Sequence, residues 1–242
     1  MSKLRVLDLF SGIGGFSLGL ERTGRFETVA FCEVKDFPRN ILSKHWPEVR
    51  QFDDVITADF RNVGPVDLVT AGFPCQDISF AGKGAGLAGE RSGLFWHILR
   101  AVCLVGRPQL LLENVAALLD RGLGSVLGAL AEVGYDTEWN CIPASAIGAP
   151  HVRDRIWISA HDRSQRKQGV IIKKISRQSA FSWCQDVRRA EELPQRSYLY
   201  PSQLCRSGDG ISERLDAVGN AVVPQIPELI GHAILESLGE HA

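Results

Sequence analysis

Short apolar runs of strand length alternate along the chain with longer stretches in which apolar residues recur three and four positions apart. The first run, Leu4 to Phe10, passes directly into Ser11-Gly12-Ile13-Gly14-Gly15 and then into Phe16, Leu18 and Leu20 before a break near Gly24. That order predicts a strand, a tight turn and a helix. Further strands are expected at Glu27 to Cys32, Val66 to Ala71, Gln109 to Leu112, Thr137 to Ile142 and Arg155 to Ser159. Leu94, Phe95, Ile98, Leu99 and Val102 share one helical face, as do Leu123, Val126, Leu127 and Leu130. Strands alternating with helices imply an α/β, doubly wound fold with a mostly parallel sheet and helices on both sides.

After Ala160 the pattern dissolves, with Val170 to Ile175 as a single strand candidate. It returns at Gly219-Asn220-Ala221-Val222-Val223-Pro224, which leads into a helix carrying Ile226, Leu229, Ile230, Ala233 and Ile234. The expected organisation is one main domain, 1–161 with 209–242, holding an insertion at 162–208. A length of 242 residues suits one large core with a small appendage. A chain that is 45% hydrophobic and 23% charged fits a globular protein, and no run of about 18 apolar residues predicts a membrane span. Met1 to Arg5 enter the first strand without a signal-peptide pattern, so a cytoplasmic location is expected.

Charge changes this picture locally. The formal net charge is -1, yet residues 162–208 hold ten Lys/Arg against four Asp/Glu. Such an excess suits a polyanionic partner, and equally a solvated loop rich in arginine. The six cysteines are scattered and form none of the C-x2-C pairs that zinc or redox sites use, so most are expected reduced and buried, with no metal site.

Candidate chemistry gathers at predicted strand ends. The turn around Gly12 and Gly14 lets backbone amides approach a ligand closely at a helix N-terminus. A dinucleotide fingerprint would need a third glycine where this chain has Ser17, which weakens a nicotinamide reading. Glu33 closes the second strand, where an acid can bond ribose hydroxyls or simply face solvent. Cys75 follows Pro74 after the strand Val66 to Ala71, Glu113 ends Gln109 to Leu112, and Arg153 and Arg155 alternate at the start of another strand, on one face. Between Gln76 and Leu94 the chain carries Gly82, Gly84, Gly86, Gly89 and Gly93, a composition suited to a moving lid or a plain surface loop.

In chain order, Phe10-Ser11-Gly12-Ile13-Gly14-Gly15, Asp53-Asp54-Val55, Gly72-Phe73-Pro74-Cys75-Gln76, Glu113-Asn114-Val115, Arg153-Asp154-Arg155 and Gly219-Asn220-Ala221-Val222-Val223 resemble the motif series of the cytosine-C5 DNA methyltransferases. The match covers roughly residues 4–160 and 209–235, and the common pattern has Gln where this chain has His151. The resemblance implies a Rossmann-like methyltransferase fold and S-adenosyl-L-methionine as cofactor. Phe10, Gly12, Gly14, Glu33, Asp54, Val55, Pro74, Leu94 and Asn220 would surround it, Glu33 on the ribose and Asp54 on the adenine amine. It makes Cys75 the nucleophile at cytosine C6, puts Glu113 at N3 and Arg155 near O2, and has Arg153 bracing the site, with Asn114 holding local backbone. Ser79 and Arg91 would lie near the phosphates of double-stranded DNA whose target base is flipped out. The insertion takes the place of a target-recognition region that is usually much longer. A tRNA cytosine methyltransferase or a DNA-binding protein without turnover are the alternatives, and a cognate restriction endonuclease is left open as a partner.

Overall fold

The computed structural model describes residues 2–74, 93–149, 151–164 and 211–239. Cys75, Ser79, Arg91, the glycine-rich loop, the strand candidate Val170 to Ile175 and nearly all of the 162–208 insertion lie outside the described residues. In chain order the elements are β1 (Leu4–Leu9), α1 (Gly15–Arg22), β2 (Phe26–Cys32), α2 (Asp36–His45), β3 (Arg50–Phe52), β4 (Leu68–Gly72), α3 (Leu94–Leu104), β5 (Gln109–Val115), α4 (Leu118–Arg121), α5 (Leu123–Glu132), β6 (Tyr135–Pro143), β7 (Asp154–Asp162), α6 (Ile211–Asn220) and α7 (Gln225–Ser237).

The strands form a seven-stranded sheet in the order β3-β2-β1-β4-β5-β7-β6. The pairs β2–β3, β1–β2, β1–β4 and β4–β5 are parallel, whereas β7 runs antiparallel to both β5 and β6. This is the mostly parallel, doubly wound α/β arrangement the alternation predicts. Strand order reverses between β1 and β4, which opens a crevice beyond their carboxyl ends, the place where such sheets bind ligands.

Both faces of the sheet are apolar, as burial under helices on each side requires. On one face Leu7, Leu9, Val69, Leu110, Leu112 and Ile158 pack with Ile98 and Val102 of α3 and Val126 and Leu130 of α5. On the other, Val6, Leu68, Leu111 and Trp157 pack with Phe16 and Leu20 of α1 and Ile226, Ile230 and Ile234 of α7. Each such side chain contributes about 1.5–3 kcal/mol when fully buried. The helix α1 also approaches the chain leading into α7 very closely. A Cβ at Gly15 would lie 2.4 Å from the Val222 carbonyl oxygen, and one at Gly19 would lie 2.0 Å from that of Pro224. Only glycine permits that approach at these two positions.

Some elements differ from the pattern-based expectation. The helix α2 and the strand β3 carry few apolar positions, with Pro38 and Leu42 the buried residues of α2, so periodicity does not announce them. Gly219 and Asn220 form the last residues of α6, a helix that the sequence pattern does not predict. Arg153 is not part of β7: it precedes the strand with a φ of 30°, so the strand rule for shared faces does not apply to it.

A fully buried ionisable group lies within the sheet. Asp8 of β1 is fully buried, with Oδ1 accepting from the Thr70 hydroxyl of β4 at 2.6 Å and Oδ2 from the Ser17 hydroxyl of α1 at 3.0 Å. Burial outweighs those two hydrogen bonds and, with the charges of Glu33 and Glu21, pushes the carboxyl up to about 7. A carboxyl raised above its unfolded value of 3.8 stabilises the fold most at low pH and loses that contribution as pH rises through 7. Between pH 5 and 8, urea melts should show wild type losing roughly 2 kcal/mol relative to Asp8→Asn, which carries no such proton. Parallel curves for the two proteins would refute this.

Candidate active site

The sheet edge beyond β1, β2, β4 and β5 collects the candidate residues. After Leu9 the chain turns sharply: Phe10, Gly12 and Gly14 have φ values of 53°, 53° and 85°. Ser11 locks this turn to β2, since its hydroxyl donates to the Asp8 carbonyl at 2.6 Å and accepts the Cys32 N–H at 3.2 Å. Glu33 then reaches across, with Oε2 accepting from the Gly12 N–H at 2.8 Å and Oε1 from the Lys35 N–H at 2.9 Å. The carboxylate thus shapes the glycine turn while retaining further lone pairs for a ligand hydroxyl. Asp54 caps its own turn, accepting the Ile56 N–H at 2.8 Å, with Val55 buried beside it.

The second half of the site is built on β4, β5 and β7. Register places Gly72 beside Glu113, and Asn114 and Val115 beside Ile156 and Arg155. The Asn114 side chain donates to the Phe73 carbonyl at 2.9 Å, which anchors the backbone just before exposed Pro74 and the position of Cys75. Glu113 is 8% exposed and its Oε1 lies 2.9 Å from Nε of Arg155. Burial raises the Glu113 carboxyl above the ordinary range even though the charges of Arg155 and Arg153 oppose the rise. Burial and the neighbouring Arg155 charge lower Arg153. At the mouth, the Arg153 guanidinium donates to the carbonyls of Gly219 and Ala221, both at 2.6 Å, and so straddles Asn220. Asn220 itself donates to Asp216 Oδ1 at 2.7 Å, and Asp216 pairs with Lys35 near the end of β2.

The structure therefore brings together Phe10, Gly12, Gly14, Glu33, Asp54, Val55, Pro74, Glu113, Arg153, Arg155 and Asn220 around one edge, with partly buried Leu94 at the start of α3. Asp8 and Arg100 were not singled out by motif. Their signal was present as a lone acid within the apolar run Leu4 to Phe10 and a lone arginine on the apolar helix α3. Among the described residues no group of three or more His, Cys, Asp or Glu could hold a metal ion, and no helix is long and apolar enough to cross a membrane.

The family model of the C-5 cytosine-specific DNA methylases matches residues 4–199, and the chain belongs to that family. The type II methyltransferase M2.BsuMI of Bacillus subtilis (strain 168) is 38% identical over 165 residues, covering 65% of this chain and 42% of the relative. The chain spans less than half the length of such curated relatives. A solved E. coli structure described as a DNA modification methyltransferase encoded within a prophage is 28% identical with a TM-score of 0.57, over 69% of this chain and 49% of its own. The S. pombe Dnmt2 methyltransferase shares the fold, at 21% identity and a TM-score of 0.56 over 81% and 57% of the two chains.

The buried pair supplies a test that needs no substrate. Arg155→Met leaves Glu113 in the interior without its partner, a loss on the order of 3 kcal/mol when the carboxylate is charged. Because lone Glu113 can escape by keeping its proton, the destabilisation in urea melts should be larger at pH 8 than at pH 5. Adding Glu113→Gln should remove the pH dependence. Equal losses at both pH values would contradict the pairing.

Proposed function

We propose that the chain transfers a methyl group to C5 of cytosine in double-stranded DNA, with Cys75 as nucleophile and S-adenosyl-L-methionine as donor. The observation that carries this reading is buried Glu113, its carboxyl raised by that burial, paired with Arg155 and beside Gly72 of the strand that leads to Pro74. Cytosine C5 is too weak a nucleophile to attack a sulfonium methyl while the ring is aromatic. A thiolate adding at C6 forms a carbon–sulfur bond and pushes electron density toward N3 and C5, and Glu113 meets that density with its proton at N3. Arg155 fits O2 of the same ring edge, while Arg153 keeps the Gly219–Ala221 backbone against the pocket. C5, made enamine-like by the thiolate addition, takes the donor's methyl group as the methyl–sulfur bond breaks and S-adenosylhomocysteine is left. Loss of the C5 proton to a base, with return of the N3 proton to Glu113, then expels the Cys75 sulfur and restores aromaticity.

The residues present suit the donor. Glu33 offers carboxylate lone pairs for ribose hydroxyls, Asp54 for an exocyclic amine, and the open space at Gly12 admits a ligand against the backbone, since a Cβ there would meet nothing within 4 Å. When bound, the donor supplies an electrophilic methyl group on a positively charged sulfur. Reaching a paired base requires flipping it out of the duplex at a cost of about a few kcal/mol, and the basic excess of residues 162–208 suits the phosphates that flank it.

Incubation with labelled donor and either mixed-sequence duplex DNA or structured RNA tests the reading. Label should enter DNA cytosine, and Cys75→Ala should lower transfer roughly a thousandfold or more. Transfer that survives the substitution excludes this nucleophile; preferential labelling of RNA replaces the DNA assignment. A separate expectation concerns pH. Glu113 acts while protonated, so the single-turnover rate should fall on the alkaline side as pH rises through its raised pKa. Glu113→Gln, which cannot give up a proton, should be slower by about a hundredfold and should lack that fall.

A further inference from the structure

Arg100 projects from α3, whose Ile98, Leu99 and Val102 are buried in the core, so its base is held firmly. Its Nη2 donates to three backbone carbonyls of a single turn: Val55 at 2.7 Å, Ile56 at 2.9 Å and Ala58 at 3.1 Å. The same turn is closed from within, because the Ile56 N–H bonds the Asp54 carboxylate and the Ala58 N–H bonds the Asp54 carbonyl at 2.9 Å. Three carbonyls aimed at one point repel each other unless a cation sits there, and hydrogen bonds to a charged donor are about twice as strong as neutral ones. The turn follows directly on β3, where the Glu33 N–H donates to the Phe52 carbonyl at 3.0 Å, so Arg100 acts on the same ligand edge as Glu33. The ends of β2 and β3 fix one side of this segment, and the guanidinium fixes the other.

We propose that Arg100 is a positioning residue for the purine of the methyl donor: by gathering the carbonyls of Val55, Ile56 and Ala58 it holds the Asp54 carboxylate where it accepts an exocyclic amine. It thereby sets discrimination between a 6-amino and a 6-oxo purine. This rests on the reading of the Asp53–Val55 segment as the purine side of the donor site. A carboxylate placed against an N–H rejects the oxo analogue, which offers it a lone pair instead, and a carboxylate free to swing aside does not.

The experiment is calorimetric binding of S-adenosylhomocysteine and its inosine counterpart to wild type, Arg100→Met, Arg100→Lys and Asp54→Asn. Wild type should prefer the adenine form by about tenfold or more. Arg100→Met should lose most of that preference while binding the inosine form as wild type does, and Arg100→Lys should keep part of it. Asp54→Asn should abolish the preference. A merely structural role would weaken both ligands equally, so equal weakening, or an undiminished preference in Arg100→Met, overturns the proposal. Should Arg100→Met not fold, the Arg100→Lys ratio decides: an unchanged ratio overturns the proposal and a reduced one supports it. Wild-type protein that binds both purines equally fails earlier, at the assignment of Asp54, and so overturns the donor-site reading together with the proposal.

Discussion

The carboxyl of Asp8 joins three elements that border the candidate site, β1, β4 and α1. Through its two oxygens it holds Thr70 of β4 and Ser17 of α1, and its own carbonyl receives the Ser11 hydroxyl. These bonds cross the point where strand order reverses, so the glycine turn after β1 and the strand that leads to Pro74 share one anchor. An ionisable group in such a place costs folding energy at neutral pH. What it supplies in return is a fixed meeting point, because hydroxyls from β4 and α1 both bond to one carboxyl on β1.

Around that anchor the edge is divided by charge. Glu33, Asp53 and Asp54 gather at the ends of β2 and β3, whereas Arg153 and Arg155 stand at the start of β7. Glu113 lies on the arginine side, close enough to Arg155 for a salt bridge yet too buried to ionise as an ordinary carboxyl does. An acidic half of this kind suits a cationic ligand, and a basic half suits an anionic one.

Much of this was readable from residues alone because the signals were local. The strands that enclose the core are continuous apolar runs, and β1, β4 and β5 announce themselves as such; Glu33 and Glu113 stand out because each is a charge at the end of such a run. The elements that escaped include those with few buried apolar positions: α2, β3 and α6, where Ala217 is the buried residue among those described. Arg153 shows a different limit. Alternation suggested a residue facing the same way as Arg155, but a backbone at positive φ aims its side chain by another route, toward carbonyls 66 and 68 residues away. Long-range bonds of that kind leave no periodic trace, and the same holds for Arg100 and the turn after β3.

The close approach of Gly15 and Gly19 to the Val222 and Pro224 carbonyls also bears on synthesis at the ribosome. The helix α1 cannot reach its final surroundings until a segment more than 200 positions later has been made. Contacts so distant in sequence close late and slowly. A nascent chain therefore leaves that face of α1 uncovered until Val222 to Pro224 have emerged.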